Sequence, residues 1–209
     1  MKTKSIIACL FLLFATQAVK AQNNADVIIR AFISQIKSHK NLEMGFTYQF
    51  SPDRKDFNEA ENGKAWLQGE AYKVEMADQH TISNGKTIWT YLIDEEEVMV
   101  SNASEGIDNT PLKLFTSLDE SYAATFSGFD ANGIATIELA NPKGQYKRVS
   151  LKIDTKKTTP TINSADIYVE DGSRLTINIK ELKFDQDLDD KFFTFDEKAH
   201  PNVDVIDMR

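Results

Sequence analysis

The side chains that could catalyse a reaction or bind a metal ion are sparse in this sequence. It has three histidines and one cysteine among 209 residues. His39, His80 and His200 do not share the spacing of a helical metal site, and neither H-E-x-x-H nor G-x-S-x-G occurs. We therefore expect no enzymatic activity, no metal site and no cofactor, and we interpret the histidines as solvated surface residues.

Acidic residues are abundant but define no site. The run Asp185-Gln186-Asp187-Leu188-Asp189 places acids at the odd positions of a calcium loop. Position six of that loop would be Asp190, where the sharp turn needs glycine, and position twelve would be Asp196 instead of glutamate. We interpret the run as a solvated acidic turn, with calcium binding as the alternative. A carboxylate pair for glycoside hydrolysis also stays open, because nothing singles out two acids.

Composition excludes several classes of protein. The 24 Lys+Arg and 32 Asp+Glu give a formal net charge of −8, which argues against a nucleic-acid partner and against attachment to an anionic membrane by charge. A hydrophobic content of 41% and a charged content of 27% are typical of globular proteins. The single cysteine, Cys9, excludes a disulfide scaffold.

The N-terminus has the pattern of an export signal. Two lysines precede an apolar run over 6–18, and Val19-Lys20-Ala21 offers small residues at the −3 and −1 positions of a cleavage site. The apolar run is too short to span a membrane as a helix. We predict that residues 1–21 are a signal peptide cleaved after Ala21 and that residues 22–209 form one exported domain.

Hydrophobic periodicity predicts one long helix followed mainly by strands. Residues 24–39 place apolar side chains on one helical face, and Thr110-Pro111 begins a second, short helix that ends near Tyr122. Asn84-Gly85 and Asp171-Gly172 are typical of tight hairpins, the first of type I′. Alternation predicts strands over 42–50, 66–76, 87–91, 98–100, 134–139, 146–153, 162–169 and 175–184, followed by a polar tail over 200–209. About ten or eleven antiparallel strands with a helix inside imply a mainly β fold, an unclosed antiparallel barrel.

Large apolar side chains at alternate strand positions are the most informative feature. They either fill the core of an ordinary β-sandwich or line a cavity for a lipid or another hydrophobic ligand. The cavity candidates are Phe46, Tyr48, Phe50, Trp66, Tyr72, Trp89, Tyr91 and Met99. The helix residues that would cover such a cavity as a lid, or else belong to a static core, are Ile28, Phe32, Ile36, Leu112, Phe115 and Leu118.

Four stretches of the chain resemble the LolA family of periplasmic outer-membrane lipoprotein carriers. Residues 83–91 are similar to its D-G-K-x-x-W-x-Y hairpin, and residues 109–112 are similar to its T-P-x-x-L helix start. Residues 63–67 resemble its G-x-(F/W) strand, and residues 193–207 resemble its F-x-F … P-x-x-V-x-V-x-D close. One departure is that residues 66–72 lack the Arg-Pro pair that many members place there, the arginine being implicated in holding the lid.

The resemblance implies an unclosed barrel whose helical lid covers an apolar cavity for the acyl chains of lipoproteins. It implies a periplasmic location, cargo received from an ATP-driven lipoprotein-releasing complex of the inner membrane, and delivery to an outer-membrane acceptor of unknown identity. We expect a monomer that binds acylated lipoproteins and no nucleic acid. Two alternatives stay open: a module on the same fold that senses lipids or lipoproteins, and a hydrolase acting on lipid or glycan.

Overall fold

The computed structural model describes residues 25–51, 60–104, 122–141, 148–156, 160–169 and 172–209. Within them one α-helix, α1, covers 25–38. Two 3-10 helices, Asp190–Phe193 and Glu197–Ala199, lie in the C-terminal part. The twelve strands are β1 (Leu42–Ser51), β2 (Ala60–Gln68), β3 (Ala71–Glu75), β4 (Gln79–Ser83), β5 (Thr87–Leu92), β6 (Glu97–Asn102), β7 (Ala123–Phe129), β8 (Ile134–Ala140), β9 (Arg148–Asp154), β10 (Thr161–Tyr168), β11 (Arg174–Phe184) and β12 (Asp204–Asp207).

All described strands belong to one sheet. Their order is β12-β6-β5-β4-β3-β2-β1-β11-β10-β9-β8-β7, and every pairing is antiparallel except that of β12 with β6. Among the described residues β7 and β12 are the two edges, so the sheet is not closed on itself. This confirms the predicted fold, an unclosed, mainly antiparallel barrel with an N-terminal helix, with twelve strands where ten or eleven were expected.

The position of α1 follows from its apolar spacing. Ala25, Ile29, Phe32 and Ile36 recur every three or four residues, which places them on one face of a helix. The first three are buried, and Ile36 packs half-buried against the same core. The helix therefore lies on the sheet with this face inward, close to the predicted bounds of 24–39.

One predicted strand is wrong. Residues 66–76 are not continuous, because Gly69 adopts a φ of +59° and the chain reverses between β2 and β3. The left-handed region is open to glycine without the steric cost that a side chain brings. The reversal pairs Leu67 with Tyr72 and leaves Trp66 opposite Lys73, so Trp66 and Tyr72 lie on opposite faces.

Other local predictions need correction. The chain reversal at Asn84-Gly85 is confirmed. The predicted type I′ turn is wrong, because only Gly85 of the two residues has a positive φ. The Asn84 side chain instead accepts hydrogen bonds from the backbone N–H groups of Lys86 and Thr87 at 3.0 and 2.9 Å. The expected polar tail contains β12, whose parallel pairing with β6 no local pattern indicated. The signal peptide and the helix expected after Thr110 lie outside the described residues, apart from Tyr122 at its predicted end.

Candidate functional site

The register of the sheet separates its side chains into two faces. Successive side chains of a strand point to opposite faces, and directly opposed residues on neighbouring strands share a face. One face carries Phe46 and its partners Gly63 and Ile179, and α1 packs on it. We call it the helix-side face. The opposite, tail-side face carries Trp66, on which part of residues 189–203 packs; we call these residues the C-terminal cover.

The helix-side face is a continuous apolar surface across eight strands. On β8 and β9 all helix-side residues are aliphatic or alanine, whereas Thr136, Glu138 and Lys152 are on the tail side. Helix α1 and the sheet share one buried cluster. Its members from the sheet are Leu42, Met44, Phe46, Ala65, Leu67, Tyr72, Val74, Ala124, Ile137, Leu139, Val149, Leu151, Ile153, Ile162, Ala165, Ile167 and Ile177.

Helix α1 fills the space over part of this face almost completely. A gap of only about 10 Å³ remains between α1 and strands β1, β10 and β11. Such a gap has room for about one water molecule. Its lining is entirely apolar: Phe32, Ile36, Leu42, Met44, Ile162, Ile179, Leu182 and Phe184. A ligand as large as an acyl chain can therefore occupy this space only if α1 moves.

Five of the eight cavity candidates lie on the helix-side face. Phe46 and Tyr72 are buried at 2% and 8% exposure, and Tyr48 is half-buried in the same row as Phe46. Burial, together with the facing carboxylate of Glu61, raises the pKa of the Tyr48 hydroxyl, so this group stays neutral. Phe50, at the end of the row, is 41% exposed. Met99 is on the same face but farther away on β6, opposite Thr90.

The other three candidates, Trp66, Trp89 and Tyr91, lie on the tail-side face. Trp66 contacts Phe192 edge-to-face at 5.2 Å between centroids, and its Nε1–H donates to Glu43 at 3.1 Å. Tyr91 lies 5.4 Å from the ring of Phe195 and, like Trp89, packs with the buried cluster of Ile82, Val98 and Phe195. The structure does not bring these three aromatics to the surface under α1; they contact the C-terminal cover or the cluster that it completes.

The lid candidates divide in a different way. Phe32 is buried at 3% exposure, and Ile28 and Ile36 pack half-buried against the helix-side face. All three therefore contact the helix-side face. Leu112, Phe115 and Leu118 lie outside the described residues.

Sequence reasoning missed the aliphatic part of the face. Ile137, Leu151, Ile153 and Ile167 are fully buried on β8, β9 and β10. Their alternation is visible in the sequence, but the cavity candidates were chosen among aromatic residues and methionine, so these aliphatic residues were not included. Alternation on β8 to β10 is the signal that could have found them.

A second, open concavity is lined by residues of β1 to β4 and β11. It has a volume of about 480 Å³ and forms over Gly45, which has no side chain to fill it. Its lining includes the polar side chains of Lys64, Glu75, Glu181 and His80. Burial lowers the pKa of His80, against the opposing effect of Glu75. This mixed lining contrasts with the apolar surface under α1.

Among the described residues no three His, Cys, Asp or Glu side chains cluster closely enough to hold a metal ion. Among the same residues no helix has the length and hydrophobicity needed to cross a membrane.

Comparison with known proteins points to one family. The "Outer-membrane lipoprotein carrier protein" of Pseudomonas aeruginosa is 29% identical over 136 residues, covering 62% of this chain and 61% of that protein's length. The protein of the same name from Francisella tularensis is 24% identical over 98% of this chain and 97% of its own. An uncharacterized conserved protein from Thermus thermophilus shares the fold, with a TM-score of 0.56, 13% identity and coverage of 88% of this chain and 99% of its own. Residues 71–196, more than half of the sequence, match the family described as "Outer membrane lipoprotein carrier protein LolA", and the chain belongs to that family.

Proposed function

We propose that this protein is a periplasmic carrier that shields the acyl chains of lipoproteins between α1 and the helix-side face. The observation that supports this most strongly is that one amphipathic helix, α1, packs on an apolar surface that spans eight strands. Membership of the lipoprotein-carrier family and the names of the relatives support the same cargo.

The physical need for such a carrier follows from the hydrophobic effect. Burial of an acyl chain is worth about 0.8 kcal/mol per methylene, so a sixteen-carbon chain left in water costs on the order of 12 kcal/mol. A carrier that crosses an aqueous compartment must replace most of that burial. The aliphatic side chains of β8 to β10 and the aromatic row of β1 offer a surface of that kind.

Release of the cargo requires that binding be weaker than this full value. In the cargo-free state Phe32, Ile29 and Ile36 already occupy the helix-side face. Cargo must displace them, and the lost contacts offset part of the gain from burying the acyl chains. The carrier is then a better environment than water and a poorer one than a membrane, which lets an acceptor take the cargo without an energy source.

The sequence candidates then have distinct roles. Phe46, Tyr48, Phe50, Tyr72 and Met99 contact acyl chains, and Ile28, Phe32 and Ile36 close over the empty site together with Leu112, Phe115 and Leu118. Trp66, Trp89 and Tyr91 stabilise the tail-side face. The cargo comes from an ATP-driven complex of the inner membrane and goes to an outer-membrane acceptor, and residues 22–209 act as one domain after removal of the signal peptide.

A matched pair of variants tests this proposal. Phe50→Asp places a charge at the open end of the helix-side row, whereas Val205→Asp places one on β12; the two residues are 41% and 46% exposed, so both changes are compatible with folding. Native mass spectrometry of protein purified from its own cell envelope should show bound lipoprotein for the wild type and Val205→Asp, and much less for Phe50→Asp. Equal loads on all three, or none on the wild type, would contradict the proposal.

A further inference from the structure

The C-terminal end of α1 is joined to the sheet by polar contacts with the residue that follows β11. Asp185 accepts a hydrogen bond from the Lys40 backbone N–H at 2.7 Å through Oδ1, and its Oδ2 lies 2.7 Å from Nδ1 of His39. The His39 ring also stacks on Phe184, with 4.2 Å between centroids and 22° between planes. The hydrogen bonds from His39 and Lys40 lower the pKa of the Asp185 carboxyl, which keeps it ionised.

The next residue continues this attachment. The Asn41 side chain donates to the Gln186 carbonyl oxygen at 2.8 Å and accepts from the Gln186 N–H at 2.8 Å. The Asn41 carbonyl oxygen accepts from the Asp185 N–H at 3.2 Å. Asn41 is only 3% exposed, so these directional bonds are shielded from water.

The backbone is shaped for this contact. Asp185 has a φ of +54°, one of two positive values among the described non-glycine residues. A left-handed conformation is uncommon for such residues, and Asp and Asn tolerate it best. It turns the chain at the end of β11, where the carboxylate meets both His39 and the Lys40 N–H. We call residues 39–41 with Asp185 and Gln186 the clamp.

Towards the other end α1 meets the sheet through Ala25, Ile29 and Phe32, whose apolar contacts have no fixed direction. An acyl chain can substitute for contacts of this kind, but it cannot substitute for the bonds of the clamp. Val27, on the outward side of the same end, is 66% exposed.

We propose that the clamp is the hinge of the lid: α1 opens by moving its N-terminal end while residues 39–41 stay attached. His39 and Asp185 are positioning residues that set the direction of opening and hold the C-terminal end of α1 in place. The role in cargo entry rests on the proposed carrier function, whereas the hinge itself is a property of the cargo-free protein.

Distance measurements between spin labels test the hinge without cargo. In the full chain carrying Cys9→Ser, labels are introduced at Lys152→Cys on β9 and at either Val27→Cys or Lys37→Cys on α1; all three sites are exposed. The distance distribution to the Val27 site should be broad and that to the Lys37 site narrow. Equal widths, or a broader distribution at Lys37, would overturn the hinge.

Substitutions distinguish the loss of the clamp contacts from a general loss of structure. Asp185→Asn keeps an acceptor and a residue suited to the left-handed backbone but removes the charge; His39→Phe keeps the ring on Phe184 but removes the polar link. Combined, they should widen the Lys37 distribution, and His39→Lys alone, which keeps a donor for the Asp185 carboxylate, should leave it narrow. Lys183→Gln, which breaks the contacts with Glu43 and Glu181, is the control and should change neither distribution. An unchanged Lys37 distribution in the combined variant would refute the role of the clamp.

A final measurement distinguishes the hinge from the carrier function. Addition of a palmitoylated lipopeptide should lengthen the distance to Val27 and leave that to Lys37 unchanged. Failure of the lipopeptide to bind would contradict the carrier function. The hinge would still be tested by the widths of the distance distributions measured without cargo. Binding with a larger shift at Lys37 than at Val27 would refute the hinge and leave the carrier function standing.

Discussion

Replacement of Phe32 by alanine should weaken the folded protein and at the same time increase its affinity for acylated cargo. Phe32 is 3% exposed and lines the small gap between α1 and the sheet. Truncation of a buried phenylalanine costs about 3 to 5 kcal/mol, because transfer free energy is lost and a cavity remains. The gap of about 10 Å³ would grow by the volume of the missing ring.

The opposite effect on cargo follows from competition for one surface. If α1 leaves the helix-side face when cargo binds, the contacts of Phe32 stabilise only the cargo-free state. Their loss then lowers the free energy needed to open the lid by a similar amount. Since about 1.4 kcal/mol corresponds to a factor of ten, a change of about 3 kcal/mol would increase affinity on the order of 100-fold.

The measurement needs a control in which the same truncation is made at a buried phenylalanine away from α1. Phe193→Ala removes the same side chain at 1% exposure, but Phe193 lies in the 3-10 helix that packs against β3, next to Phe192. It should lose comparable stability without any gain in affinity. Stability is measured by urea unfolding, and affinity by displacement of bis-ANS with a palmitoylated lipopeptide, with a non-acylated peptide as the negative control.

The reasoning fails if Phe32→Ala is less stable but binds the lipopeptide no more tightly than the wild type. That result would mean that α1 stays on the sheet in the loaded protein and that Phe32 belongs to a static core. An equal gain in affinity for Phe193→Ala would also contradict it, since general loosening would then explain the effect.

Two further predictions concern the sheet. A Cβ at Gly63 would lie 2.5 Å from Cζ of Phe46 and 2.6 Å from Sδ of Met76. Gly63→Ala should therefore lower the free energy of unfolding in urea by about 1 to 3 kcal/mol and weaken lipopeptide binding. Unchanged NMR signals of Phe46 in this variant would contradict the prediction. Because the folded pKa of His80 is lowered, the folded state binds fewer protons and stability should fall as pH drops below the unfolded value of about 6.5. Thermal unfolding of His80→Gln should show a smaller loss between about pH 7.5 and about pH 5.5; the same loss as in the wild type would refute this assignment.

Local pattern was sufficient for most elements. The recurrence of Ile29, Phe32 and Ile36 indicates a helix whatever lies around it, because a period near 3.6 places these side chains on one stripe. The alternation of β1 likewise puts Phe46, Tyr48 and Phe50 on one face, and the ladder confirms that they share it. These features depend on backbone geometry within a few residues.

The choice between the two faces was not available to local pattern. Trp89 and Tyr91 alternate as cleanly as Phe46 and Tyr48, but alternation shows only which residues share a face. On β4 to β6 the tail-side face is also apolar, with Ile82, Trp89, Tyr91 and Val98, and Phe195 of the C-terminal cover packs on it although it lies about a hundred residues away along the chain. A sheet that is covered on both faces gives the same alternating signal for a ligand surface and for a structural core.

The sequence by itself determined an acidic chain with an amphipathic helix near its N-terminus, a series of alternating strands and few side chains suited to catalysis. The tertiary structure alone decided that α1 occupies the apolar face, that Trp66, Trp89 and Tyr91 lie on the other, and that Asp185 meets His39. The reason is that periodicity is set by covalent geometry over a few residues, whereas the face, the cover and the clamp depend on how segments far apart in the chain are brought together by burial.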